Sequence, residues 1–269
     1  MTTAQKIIKY LAIALAISII VSIFSAIAGG IFGLASVLGL RKNKAIGEMK
    51  AIDFENSEVA TLDIDVAFTN LTIKTGETLK AETNNSNINC KQNYQNIQIK
   101  EKSRNWFAKN NEGDLIVYVP EGIEFETIRI NAGAGKINIE ELNTKELVLN
   151  LGAGNTEISR VNVSEKCSID GGVGKLSILS GTINNLDLDM GIGQTDLVSK
   201  ITGKSDINSG IGKVSIKLLG GKDNYKFKIN KGIGAIDIAG EEMKDVQEWG
   251  NGKNYIDIDG GIGEVKIDF

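Results

Sequence analysis

Three glycine–lysine pairs, Gly135-Lys136, Gly174-Lys175 and Gly212-Lys213, look like the end of a phosphate-binding loop. Such a loop needs a glycine five positions before its second glycine and a Ser or Thr after the lysine. Neither is present in any of the three, so they read as corners of a repeat. The Gly171-Gly172-Val173-Gly174 run is similar to calcium-binding nonapeptide repeats, but Leu176 stands where the aspartate is required. With no histidine in the chain, imidazole base chemistry, Ser–His catalysis and histidine-ligated zinc are excluded. Two cysteines, Cys90 and Cys167, cannot make a structural zinc site. A carboxylate enzyme would need two acids paired in a groove, one of them desolvated. The sequence offers many exposed acids and singles out none. The chain is therefore expected to be no enzyme, with no catalytic residue, bound metal or cofactor.

What must position these residues is a motif returning seven times between residues 126 and 269: glycine, an apolar residue, glycine, then a short strand. The paired glycines are Gly133 and Gly135, Gly152 and Gly154, Gly172 and Gly174, Gly191 and Gly193, Gly210 and Gly212, Gly232 and Gly234, and Gly261 and Gly263. Their intervals are 19, 20, 19, 19, 22 and 29 residues, and each pair is read as a structural turn that precedes its strand. A fixed period means units too small to bury their own apolar face, which stack and share a core. Three positions before the first glycine stand Ile130, Leu149, Ile169, Leu188, Ile207, Ile229 and Ile258; six positions after it stand Ile139, Ile158, Ile178, Leu197, Ile216, Ile238 and Ile267. Alternation with polar neighbours gives strands with one buried face. The residue between the glycines (Ala134, Ala153, Val173, Ile192, Ile211, Ile233, Ile262) is apolar too, so the corner is expected to point inward. The predicted fold is all-β, a β-solenoid of stacked strands with a period of about 19 residues.

Two positions before the first glycine the column is Asn131, Asn150, Asp170, Asp189, Asn208, Asn230 and Asp259. Stacked at roughly 4.8 Å, such side chains close corners through backbone and mutual hydrogen bonds. The alternative is a cation between Asp170 and Asp189, since opposed like charges need compensation. The exposed column three after the glycine (Lys136, Asn155, Lys175, Gln194, Lys213, Ala235, Glu264) never places lysines in successive copies, as in-register stacking requires.

Residues 51–269 carry a net charge of −9 and residues 1–50 a net of +5. An acidic body argues against a nucleic-acid partner, and the four arginines of the chain do not cluster. Residues 10–40 contain no charged side chain, more than the roughly 20 positions that span a bilayer as a helix. They are read, after a short segment at 1–9, as one transmembrane helix. A cleaved signal peptide ending at Ala26-Ile27-Ala28 is the rival. Basic residues flank both ends, so the positive-inside rule leaves orientation open. A charged linker is expected at 41–54, and an irregular β region capping the solenoid at 55–125. With the coils stacked in order, Cys90 and Cys167 lie at least two rungs apart, too far for a disulfide.

In that cap region Leu62-Asp63-Ile64-Asp65-Val66, Asn70-Leu71-Thr72-Ile73 and the strand at 115–119 before Pro120-Glu121-Gly122 lead into the Gly-x-Gly copies. In these features residues 55–269 resemble the membrane-anchored "putative adhesin" β-strand-repeat domains of bacterial envelopes, a family of unknown function. The resemblance implies an extracytoplasmic β-solenoid, displayed from the cell membrane by a single-pass anchor. Its expected role is adhesion, binding or scaffolding, with an envelope protein or cell-wall polymer as partner; the alternative is a regulatory subunit of an envelope-stress system. Both tryptophans fall in insertions, Trp106 with Phe107 in one at 103–113 within the cap region and Trp249 in the other, between the last two repeats. Insertions of this kind are candidate partner-binding loops, or covers for open solenoid ends.

Overall fold

Strict alternation of apolar and polar residues turns nearly every described segment into a strand. In a computed structural model of the chain the described residues are 48–55, 59–102 and 113–269, all within one compact unit, Gly47–Phe269. The expected membrane span at 10–40 lies outside them, as do Trp106 and Phe107. Among the described residues no helix is long and apolar enough to cross a membrane.

The chain opens with β1 (Lys50–Asp53), β2 (Thr61–Val66), β3 (Thr69–Gly76), β4 (Lys80–Thr83), β5 (Ile88–Asn93), β6 (Asn96–Glu101) and β7 (Gly113–Pro120). The linker expected at 41–54 thus ends in a strand, β1, antiparallel to β4. Next comes β8 (Phe125–Ile178), an unbroken run through almost three repeats, because its corners stay in the hydrogen-bonded ladder. The chain continues with β9 (Gly181–Asn184), β10 (Leu186–Thr202), β11 (Lys204–Asn208) and β12 (Ile211–Leu218). It closes with β13 (Tyr225–Asn230), β14 (Ile233–Ile238), β15 (Glu241–Glu242), β16 (Gln247–Gly250), β17 (Asn254–Asp259) and β18 (Ile262–Asp268).

Parallel pairing in register stacks these strands into two main walls. In the first, Leu62 lies beside Ile128, Leu186 beside Cys167, and Leu188 between Ile169 and Ile207. In the second, Leu197 lies between Ile178 and Ile216, and Ile73 beside Ile139. The middle coils add a third wall in which Ile183 lies between Val163 and Ile201. Inward side chains of all walls form one continuous core from Phe54 to Ile267.

The coils do not stack in sequence order, which corrects the expectation from the repeat. The seventh copy, β17–β18, inserts between the fifth and the sixth: Ile258 pairs with both Ile207 and Ile229, and Ile267 with both Ile216 and Ile238. The other end repeats the device. There β2 sits between β6 and β8, and β3 between β7 and β8, so the β6–β7 coil is outermost. Antiparallel strands then cover each outermost coil: β5 and β4 at one end, β16 and β15 at the other.

The order has a chemical reason. Insertion brings Glu264 beside Lys213 (3.1 Å) and Asp257 beside Lys228 (2.8 Å), and lets Asn230 donate to Asp259 (2.6 Å). It also leaves the bulky sixth copy at the end, where Phe227 packs edge-on against Trp249 (5.7 Å) and Phe269 (6.3 Å). Because Ile258 is fully buried between two coils, Ile258→Ala is expected to cost about 3 kcal/mol in urea unfolding. A cost below about 1 kcal/mol would mean that the last coil is a frayed edge.

Candidate functional site

The most regular surface of the molecule is the corner built by the paired glycines. The second glycines were expected as turn residues ahead of their strands, and the structure corrects that placement. Gly135, Gly154 and Gly174 lie inside β8, Gly193 inside β10, Gly212 inside β12, Gly234 inside β14 and Gly263 inside β18. Gly263 shows why: it is in register with Gly212 on one side and Gly234 on the other, so the ladder passes straight through it. Of the first glycines, Gly133, Gly152, Gly172 and Gly191 are likewise within strands. Gly210, Gly232 and Gly261 stand just before β12, β14 and β18, as the repeat led one to expect.

The second glycine of each pair has φ between +140° and +155° (Gly212 at +140°, Gly263 at +143°, Gly234 at +155°), a conformation that side chains resist. Stacking adds a harder constraint. A Cβ at Gly193 would stand 1.8 Å from the carbonyl oxygen of Gly174, and one at Gly263 would stand 1.8 Å from that of Gly212. The first glycines meet the same obstacle: a Cβ at Gly172 would lie 1.9 Å from the Gly152 carbonyl oxygen, and one at Gly261 1.8 Å from that of Gly210. All fourteen repeat glycines are brought together in these two rows.

The backbone bend made by these glycines breaks the alternation of faces. The residue between them therefore faces outward, not inward as expected. Val173 is 40 % exposed and Ile233 44 %, while Ala134, Ile192, Ile211 and Ile262 are half-buried by their neighbours in the stack. The corner carries an apolar ridge, with Ile192 beside Val173 and Ile211, and Ile262 beside Ile211 and Ile233.

On the side before the corner runs the Asn/Asp column. Asn150 donates to Asn131 (2.6 Å), and Asn208 donates to Asp189, so amides partner carboxylates and other amides through most of it. Asp170 and Asp189 lie in direct register. Among the described residues no group of three or more His, Cys, Asp or Glu is placed to hold a metal ion. Asp65, Asn131, Asn150 and Asp170 wall a shallow groove of roughly 630 Å³ floored by Ala67, Ala132, Gly133, Leu151 and Gly152.

Two residues further back the out-of-order stacking creates a column that sequence reasoning missed. Asp187, Asp206 and Asp257 lie in successive register, closed by Lys228. One oxygen of Asp257 pairs with Lys228 at 2.8 Å, and the other is buried without a partner. The Asp-x-Asp pattern at 187–189 and 257–259 was a visible signal, but the adjacency of the Asp206 and Asp257 coils was not.

On the side after the corner stand the lysines of the phosphate-loop lookalikes. Lys175 pairs with Asp196 (2.9 Å) and Lys213 with Glu264 (3.1 Å). Burial raises the Asp196 pKa, but hydrogen bonds from Gln194 and Lys175 outweigh it and hold the carboxyl below its usual value. Trp249 is half-buried on β16 over the outermost coil, stacked on Phe269 at 5.8 Å, with its Nε1–H directed at Glu241 (3.4 Å). Both cysteines are free thiols. Burial pushes Cys90 up to about 11 and Cys167, with help from Asp187, to about 12, so neither is a ready nucleophile.

With this geometry in place, comparison with known proteins is informative about the family. The model of the Toastrack DUF4097 family matches residues 59–261. No curated protein matches the chain. Solved structures similar to it include a "putative cell adhesion protein" from Clostridium sporogenes, at 19 % identity over 82 % of this chain and 98 % of that one, TM-score 0.39. A "putative adhesin" from Bacteroides fragilis is similar at 12 % identity over 82 % and 97 %, TM-score 0.36. A "putative lipid binding protein" from Parabacteroides distasonis is similar at 14 % identity over the same shares, TM-score 0.34.

The ladder makes a graded prediction. A Cβ at Gly135, the end of the row, would stand 3.3 Å from the Thr69 carbonyl oxygen, so Gly135→Ala meets backbone strain of about 1–3 kcal/mol alone. Gly193→Ala adds collision with an immovable backbone and is expected to cost at least about 2 kcal/mol more in urea unfolding. Equal costs would show that the coils can separate to admit a methyl group.

Proposed function

The chain belongs to the Toastrack DUF4097 family, and from that footing we propose that it is a non-enzymatic binding module. It is held at the cell membrane by a single span at residues 10–40, with its β-stack outside the cytoplasm, and it serves adhesion or envelope scaffolding. The observation that carries this reading is the outward face of the stack. Each of the seven Gly-x-Gly coils presents the same outward columns along its walls, and register partners are one strand spacing apart. A row of like groups on an unyielding backbone suits a repetitive or multivalent partner, because each engaged unit raises the effective concentration of the next. A cell-wall polymer or an envelope protein has that character. The uncharged length of residues 10–40 supports the anchor. Trp106 and Phe107, and the exposed part of Trp249, are the aromatic contacts proposed for the partner.

Protease added to intact cells is expected to digest the body of the protein. Protection until the cells are permeabilised would place it inside and defeat the adhesive role. The partner side is tested with isolated cell walls and envelope extracts. Trp106→Ala is expected to lower retention of the full chain on one of them about tenfold at unchanged unfolding midpoint. Trp249→Ala is expected to lower retention as well and, because Trp249 packs on Phe227 and Phe269, to lower the midpoint too. Retention by neither material would exclude both partners named. Loss of envelope-stress signalling when residues 10–40 are exchanged for an unrelated span would favour a regulatory subunit instead.

A further inference from the structure

We propose that the apolar ridge of the glycine corner is the contact between two copies of this chain, paired side by side with their stacks parallel. The ridge is uneven. Ala134 and Ala153 occupy its first two coils, while Val173, Ile192, Ile211, Ile262 and Ile233 fill the next five in stacking order. These five large side chains span four strand spacings, roughly 19 Å. A row of outward β-branched residues on an acidic protein is the kind of surface that marks an interface.

The charges beside the ridge choose the occupant and its orientation. On the flank before the corner, Asp170, Asp189 and Asp259 are all exposed and fall on coils of the large-residue half. On the flank after it, Lys175 and Lys213 fall on coils of the same half, each roughly half exposed at 46 % and 48 %. A two-fold axis running along the stack sets every coil against the same coil of the partner. It also lays the lysine flank of one copy over the aspartate flank of the other. Lys175 then faces Asp170, and Lys213 faces Asn208 between Asp189 and Asp259, each contact occurring twice, as an isologous interface requires. An axis across the stack would set lysine against lysine and aspartate against aspartate, which is repulsive. The lysines' present partners, Asp196 and Glu264, are surface pairs whose rearrangement costs little. This pairing is independent of where the protein resides, and it leaves β1 of both copies at the same end of the paired stacks.

The test uses the full chain in detergent micelles. Val173→Cys and Ile233→Cys are made separately; of the native thiols Cys167 is wholly buried and Cys90 partly so, and burial keeps both protonated. Mild oxidation is expected to link each variant to itself, and mixing the two is expected to give no mixed dimer. Mixed dimers alone would show antiparallel pairing and overturn the proposal. Absence of cross-links, with a monomer by sedimentation, would also overturn it. So would a monomer whose Ile211→Glu variant loses cosedimentation with phosphatidylglycerol vesicles, which would assign the ridge to lipid. In parallel, Lys175→Asp is expected to weaken self-association on the order of tenfold, and addition of Asp170→Lys to restore it. Failure of the second change to restore pairing, at unchanged unfolding midpoint, counts against the charge match.

Discussion

One contact governs this molecule: the carbonyl oxygen of a corner glycine occupies the space where the Cβ of the next coil's glycine would be. At Gly174, Gly193 and Gly212 that space is filled to within 1.9 Å of the missing atom. Neighbouring coils can therefore close to hydrogen-bonding distance through the corner as well as along the walls. The ladder then runs without a break, which is why β8 passes through 54 residues as one strand. Register follows from it. Once glycine must lie on glycine, each inward Ile or Leu lies on its counterpart, and each outward column is assembled from the same position of every repeat.

A stack of this kind has two raw ends, and the chain protects both in the same way. The coil at each chain end is drawn in by one place, so that it is bonded on both sides. The coil left outermost carries the covers: short antiparallel strands, with Tyr225, Phe227, Trp249 and Phe269 gathered over the core at one end. At the other, Phe54, Leu79 and Ala81 are buried under the last coil, and the Tyr118 ring lies against two cations, Lys74 at 4.8 Å and Lys80 at 4.5 Å. An open parallel edge is a template for further strands, and antiparallel covers remove it.

The repeat, its period and the inward columns around Ile130 and Ile139 were legible in the sequence because burial of one strand face imposes a period of two. The outward direction of Val173 and Ile192 was not. A glycine at positive φ shifts the alternation by one residue, and its backbone angle leaves no trace in the neighbouring residue types. For the same reason Gly263 and its counterparts looked like turns: glycine is the residue of loops, and only the stack shows that here it continues a strand. The order of the last two coils was hidden for a different reason. Copies with similar apolar columns can exchange places in the core, so the order rests on surface pairs such as Lys213 with Glu264 and Lys228 with Asp257, and on the packing of Phe227 against Trp249 and Phe269 at the end. The acidic column of Asp187, Asp206 and Asp257 was invisible on that account too. Trp249 lies in an insertion that the sequence offered either as a partner-binding loop or as an end cover, and in the stack its ring packs on Phe227 and Phe269 over the outermost coil.

Such a scaffold presents its surface chemistry in columns. Amides, carboxylates, apolar side chains and lysines each form a row, and the rows lie at fixed lateral distances set by the corner. That arrangement rests on the coils stacking as glycine ladders with the chain's last coil inside the sixth. The most direct measurement is an intramolecular cross-link between outward positions of the first wall. Asp206 and Asp257 are register partners, so their α-carbons stand about one strand spacing apart, within disulfide reach. Lys228 is one coil further, at roughly twice that distance and out of reach. Stacking with the last coil drawn in predicts that Asp206→Cys with Asp257→Cys closes a disulfide on oxidation and that Asp206→Cys with Lys228→Cys does not. The reverse result would mean that the coils follow sequence order and would contradict the structure at its central feature.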